Sequence, residues 1–260
     1  MDVFHSLVVL HVIAGTIGLV AFWVPIVTRK GAAAHRKWGR VGCYGFIGAG
    51  ALAIAMALIS LYGPEERIPS FTDRRAFAGL FGWMMLYLGI LTIGFIDYGL
   101  GVVKHGRARV PLRSFRYQVV IAAVVISGAW CGWYGYTIGN ALMMGLAVLG
   151  VVSMSLQQVF IWRREAPSPK AYIGEHFRAL IGMGISAYTA FLSVGLVRRF
   201  PEQVFNPLIW AIPSAIGVGL IIGFTLQAKQ QAKQKAARKV QKSAAAKTLT
   251  ADAAAARLGG

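Results

Sequence analysis

Seven apolar runs alternate with short polar connectors along this chain, at residues 7–27, 41–61, 76–96, 119–138, 141–162, 177–197 and 208–224. A helix needs about 20 apolar residues to cross the hydrocarbon of a bilayer, so each run is read as one crossing. The runs do not alternate apolar and polar residues as the strands of a membrane barrel do, which points to helices. The expected fold is therefore an all-α membrane protein, a seven-transmembrane helix bundle over residues 1–227, followed by a basic cytoplasmic tail at 228–260.

The first run shows how the connectors orient the rest. It ends at Arg29, Lys30, Arg36, Lys37 and Arg40, five cations around His35. Basic connectors are retained on the cytoplasmic side. With the N-terminus outside, the cytoplasmic segments hold 22 of the 27 Lys and Arg residues. Setting the long tail aside, the division is 14 against 5, so an N-terminus outside and a C-terminus in the cytoplasm is the expected topology. The opening MDVFHSLVVLHV has no basic region and no small-residue cleavage site, so it is read as a retained first helix. The expected location is the bacterial inner membrane.

Within the runs, Ala14, Gly15 and Gly18 form a small-residue stripe that lets a second helix approach. Trp130, Trp133, Tyr134 and Tyr136 form an aromatic belt of the kind found at a membrane interface. Gly139-Asn140 is a very short turn, and the segment GPEERIPSFTDRR reads as an external loop. Pro25 and Pro213 lie inside or near the ends of runs, as prolines in membrane helices often do. The tail, rich in Lys, Gln and Ala, has nothing to bury and is expected to fray beyond the membrane.

Composition supports this pattern. Hydrophobic residues make up 57% and charged residues 14%, against about 25% charged in a soluble domain. The net charge of +18 does not indicate nucleic acid, because the cations are gathered in connectors and not spread over a soluble face. Anionic lipid headgroups are their expected partners. Cys43 and Cys131 fall in different runs near opposite faces, which argues against a disulfide or a thiolate metal site.

The chemistry-bearing residues separate by depth. His35, His105 and His176 fall at the cytoplasmic boundary, near Asp97 and Glu175; His5 and His11 fall at the opposite side. At about 1.5 Å rise per residue, His11 lies roughly 20–30 Å from the His35 loop, so the two cannot ligate one metal or one haem iron. The inner group has the chemistry for a metal, a haem edge or a proton entry point, and an equally plain reading of basic-loop histidines attracted to headgroups. Glu175-His176 opens a helix, where the dipole favours a carboxylate; Asp97 ends one, where it is disfavoured and calls for a cationic partner. His11 is expected to face the bundle and hydrogen-bond to a neighbour. As a haem ligand it would need an axial partner at its own depth, for which only Met84, Met85, Met143 or Met144 is available. Gln157 and Gln158 suit either a polar cavity or an interface beside Trp162.

His11-x-x-Ala14-Gly15, then Lys30-Gly31 and His35-Arg36-x-x-Gly39-Arg40, resembles the opening signature of a family of predicted bacterial multi-pass membrane proteins of unknown function. Glu175-His176 leading into GMGISAYTAFLSVG is similar to a later segment of related members, although Ala179-Leu180-Ile181-Gly182 stands where some carry Trp-Met-x-Arg. The resemblance implies an integral membrane protein with His11, His35 and His176 on motif positions, and names no activity. The expected function is non-enzymatic binding or passage of a small ligand or a proton through two histidine-lined sites, one at His11 and one at His35, Asp97, Glu175 and His176. The alternatives are a b-type haem or quinone-linked electron carrier, and an assembly scaffold that docks through its basic tail.

Overall fold

The computed structural model describes residues 3–62, 73–165, 168–197 and 207–258, and every regular element among them is helical. The helices are α1 (Val3–Val27), α2 (Ala33–Tyr62), α3 (Arg74–His105), α4 (Phe115–Thr137), α5 (Ala141–Trp162), α6 (Ala171–Val197) and α7 (Pro207–Leu258). A 3-10 turn at Val110–Arg113 precedes α4, and α3 contains a π-helical stretch at Ala78–Met84. The expected external loop falls largely at residues 63–72, outside the described residues.

Local chemistry explains the helix ends. The Asp73 carboxylate accepts from the Arg75 and Ala76 amides at 2.9 and 3.1 Å, satisfying donors that the first turn of α3 leaves free. Asn140 does the same for α5 through the Met143 amide at 3.0 Å. Between α4 and α5, Gly139 adopts φ +67°, a left-handed conformation open to glycine at no steric cost. The short turn read at Gly139-Asn140 is therefore present.

Among the described residues six helices are long and apolar enough to cross a membrane: α1 to α5, and the part of α7 at Ala211–Gln231. By helix length and composition this is a multi-pass membrane protein. The surface agrees, since Ile126, Trp133, Val148 and Leu156 are each at least 60% exposed. A water-facing monomer rarely exposes apolar area on that scale. α6, which contains the expected sixth crossing, is not among the six.

Several helix boundaries differ from the sequence reading: α7 stays helical through the tail to Leu258, where fraying was expected, and three others bear on candidate site residues. α2 begins at Ala33, so His35 and its neighbouring cations are helical and the connector before it is only a few residues long. α3 continues to His105, which puts Asp97 inside a helix and not at its end. α6 begins at Ala171, so Glu175 lies beyond its first turn. In each case Ala, Lys, Arg or Tyr residues extend a helix past the apolar run, because the backbone can keep its hydrogen bonds where the side chains have reached water.

The chain divides into two units, residues 1–217 and 218–260; the second contains only the continuation of α7, helical to Leu258. In the first unit α3 is the centre. It packs on α2, α4 and α6, while α1 packs on α2 and α6, and α5 packs on α4. Glycines set the closest approaches. A Cβ on Gly45 would come within 2.8 Å of the Gly18 amide nitrogen and 2.9 Å of the Ala14 carbonyl, so α1 and α2 meet at backbone level. That is the partner the small-residue stripe called for. Tyr87, fully buried, crosses from α3 to α5 past Gly128 and donates to the Leu146 carbonyl at 3.3 Å. Lipid gives helices no hydrophobic reason to associate, so this interlocking is what holds the unit together.

A histidine pair at the basic end of the bundle

The α1–α2, α3–α4 and α5–α6 connectors lie at one end of the first unit, and α2, α3 and α6 bring their polar residues together there. His35, near the start of α2, and His176, near the start of α6, stand with ring centroids 6.5 Å apart and planes inclined at 61°. Both are half-buried. His176 Nδ1 lies 2.7 Å from the Gly99 carbonyl of α3, and His35 Nδ1 lies 3.2 Å from the Pro25 carbonyl of α1. A carbonyl only accepts, so in both rings Nδ1 carries the hydrogen. In the neutral form Nε2 then carries a lone pair, and neither Nε2 has a hydrogen-bond partner among the described residues.

Those carbonyls are available for local reasons. Pro25 lies in the last turn of α1, where carbonyls have no helical partner. Lys30 Nζ takes up the Pro25 and Ile26 carbonyls at 2.8 and 2.6 Å, and His35 shares the first. Gly99 lies where α3 and α6 touch; a Cβ there would come within about 3.0 Å of Leu180 and 3.2 Å of Ala179. The bare backbone at Gly99 lets His176 reach the α3 carbonyl.

Beside the pair, the Glu175 carboxylate accepts from the Tyr98 hydroxyl at 2.8 Å and from the Arg178 guanidinium. Its side chain is 12% exposed, so a nearly buried negative charge is balanced by a cation three residues further along the same helix. Deeper along the α3–α6 contact, Thr92 and Ser186 are buried and their hydroxyls lie 3.3 Å apart.

The remaining predicted site residues are elsewhere. Asp97 has the cationic partner expected of it, Arg116 of α4, on a different face of α3 from the histidine pair. The helix-end reason given for that partner does not hold, because Asp97 is mid-helix; the pair forms because α4 places a guanidinium against it. Glu175 likewise owes its stability to Tyr98 and Arg178 and not to a helix N-terminus. His11 is on α1, and its Nδ1 donates to the Ala49 carbonyl of α2 at 2.8 Å, the inter-helix bond expected of it. His105 closes α3, its Nε2 3.4 Å from the Tyr117 hydroxyl. Gln158 pairs with Gln118, while Gln157 is buried and its Oε1 has no partner among the described residues. Sequence reasoning missed Tyr98, Gly99 and Arg178. A tyrosine beside Asp97 was the visible signal for the first; a backbone carbonyl offers no signal for the second.

Two imidazoles with open Nε2 lone pairs can each accept a hydrogen bond or a proton. With centroids 6.5 Å apart, the nearest ring nitrogens are separated by at least roughly 4 Å, beyond the ~3 Å of a direct hydrogen bond but within reach of one bridging donor. Among the described residues no group of three or more His, Cys, Asp or Glu is placed to hold a metal ion. Two imidazoles alone fall short of the four ligands of a structural zinc site or the three of a catalytic one. Cys43 and Cys131 are both free and buried.

Comparison with family models, with curated proteins and with solved structures returns no match.

Proposed function

We propose that this is a non-enzymatic inner-membrane protein of seven crossings, N-terminus outside and C-terminus in the cytoplasm. It takes up a proton, or a small hydrogen-bond donor, at the His35–His176 pair on the cytoplasmic side. Six helices among the described residues are long and apolar enough to cross, α6 carries the remaining apolar run, and the connectors that gather at the histidine end are basic; these support the reading. The resemblance of the His11 to Arg40 segment to uncharacterised multi-pass membrane proteins agrees with such a topology.

The observation that carries the proposal is the joining of two imidazoles from α2 and α6, each with Nδ1 held by a backbone carbonyl and Nε2 left open. At the membrane boundary such a pair is placed to pass a proton between the cytoplasm and the bundle. A second polar contact, between the buried Thr92 and Ser186 hydroxyls, lies deeper along the same α3–α6 interface.

The test is proton movement into sealed vesicles that contain the purified protein and a trapped pH-sensitive dye, after an imposed pH step. Wild-type protein is expected to collapse the gradient faster than protein-free vesicles. His176→Ala and His35→Ala should each slow it by about a hundredfold, the low end of what a positioned proton-transfer group contributes, with unfolding temperatures unchanged. No acceleration by wild-type protein, or loss of folding in both variants, would overturn the proposal.

A further inference from the structure

A second site lies at the same end of the bundle, away from the histidines. An open cleft of about 260 Å³ is lined by Arg107, Arg109, Phe160, Ser168, Pro169 and Tyr172. It sits where the α3–α4 connector meets the end of α5 and the residues before α6. The Arg109 guanidinium is held in place: it donates to the Phe160 carbonyl at 2.9 Å and the Arg164 carbonyl at 3.0 Å, and lies 5.6 Å from the centre of the Phe160 ring. Neighbouring Arg113 donates to the Ile161 carbonyl. Carbonyls orient these cations without neutralising them, and among the described residues no carboxylate lines the cleft. Arg107 is exposed and, with the Ser168 hydroxyl, has no hydrogen-bond partner among the described residues. Two arginines and a free hydroxyl around a small hollow are suited to a phosphate group.

The walls and the neighbouring surface select among phosphates. Phe160, Pro169 and Tyr172 give the hollow an apolar side. Phe160 is itself buried, and beside it the lipid-facing side of α5 is apolar and open, with Val159 56%, Leu156 65% and Val152 52% exposed. A ligand with a phosphate head and hydrocarbon chains would satisfy both surfaces; inorganic phosphate would satisfy only the first. The volume, below the ~300–1,000 Å³ of pockets that enclose whole small molecules, suits a headgroup whose remainder lies outside.

We infer that this cleft binds the phosphate of an anionic phospholipid, with the acyl chains laid along the exposed face of α5.

The experiment uses the full chain in detergent, with phosphatidylglycerol, phosphatidylcholine or inorganic phosphate added. Bound lipid is counted by native mass spectrometry and stability followed by thermal unfolding. One phosphatidylglycerol should bind saturably and raise the unfolding temperature, while phosphatidylcholine and inorganic phosphate should not. Arg107→Gln should weaken phosphatidylglycerol binding about fivefold, the effect of one basic residue near an anionic surface, without changing lipid-free stability. Lys37→Gln, which removes an exposed cation from the α2 start, should leave that binding unchanged. Equal shifts by the two lipids, equal weakening by the two substitutions, or displacement of phosphatidylglycerol by inorganic phosphate would each overturn the assignment.

Discussion

The α1–α2 and α3–α6 interfaces join neighbouring helices by different means. Across the first, backbones approach directly: Gly45 faces Gly18 and Ala14, Gly42 faces Ala21, and the polar bonds are few, His11 to the Ala49 carbonyl within the contact and His35 to the Pro25 carbonyl at its basic end. Across the second, side-chain chemistry repeats along the contact, with Tyr98 on Glu175, His176 on the Gly99 carbonyl and Thr92 on Ser186. The same family of small residues permits both. The first interface spends the closeness on dispersion, and the second spends it on bringing polar groups within bonding distance, which is why histidine chemistry is assigned to the second.

The largest expected effect comes from breaking the first interface. Gly45→Ala places a methyl group against backbone atoms that have no rotamer to retreat into, so the helices must separate. The expected cost is about 1–3 kcal/mol, as for other overpacked contacts. Gly145→Ala on α5 meets nothing within 4 Å and should be neutral or slightly stabilising, because alanine favours helix over glycine. Thermal unfolding in detergent separates the two. Equal behaviour of both variants would mean that α1 and α2 are not locked at backbone level.

The next effect distinguishes the two kinds of histidine. His11→Ala removes one half-buried inter-helix bond and is expected to cost about 0.6 kcal/mol, the average for such bonds between membrane helices, and at most about 1.7. Proton movement into vesicles should be unaffected. A loss of flux matching that of His176→Ala would erase the distinction between the interfaces and return His11 to the functional site.

Much of this was readable from residue pattern. The run after Ala141, the turn at Gly139-Asn140, the stripe at Ala14, Gly15 and Gly18 and the neighbour bond of His11 follow from periodicity, turn chemistry and the cost of an unpaired polar group in lipid; Asp97 has a cation beside it, but not for the helix-end reason that predicted one. Helix ends were not readable. The AAHRKWGR segment looked like a loop because it is polar, yet its alanines and long basic side chains favour helix, and polarity alone does not stop one. Two dipole arguments, for Asp97 and Glu175, rested on those ends and fell with them. The pairing of His35 with His176 was legible only as a shared depth. Its geometry depends on the Pro25 and Gly99 carbonyls, and a backbone oxygen leaves no trace in side-chain identity.

The smallest expected effect tests whether shared depth is enough to make a site. Asp97 lies at nearly the level of Tyr98 and Gly99, but on a face of α3 turned toward α4, and its partner Arg116 has a side chain 65% exposed. The Asp97 side chain is 15% exposed, but its cation is solvated and Asp97→Asn leaves no buried charge behind, so the pair is expected to contribute about 1 kcal/mol and to be weakened by salt. Asp97→Asn should therefore lower stability slightly, lose even that difference at high ionic strength, and leave proton movement unchanged. Tyr98 is the next residue in the chain, about 100° further round the helix, and Tyr98→Phe removes the hydroxyl that Glu175 accepts from beside His176. It is the adjacent position whose loss should disturb the pair. If Asp97→Asn slows the flux and Tyr98→Phe does not, the proton-handling groups lie on the α4 side of α3, and the α3–α6 interface is only another packing contact.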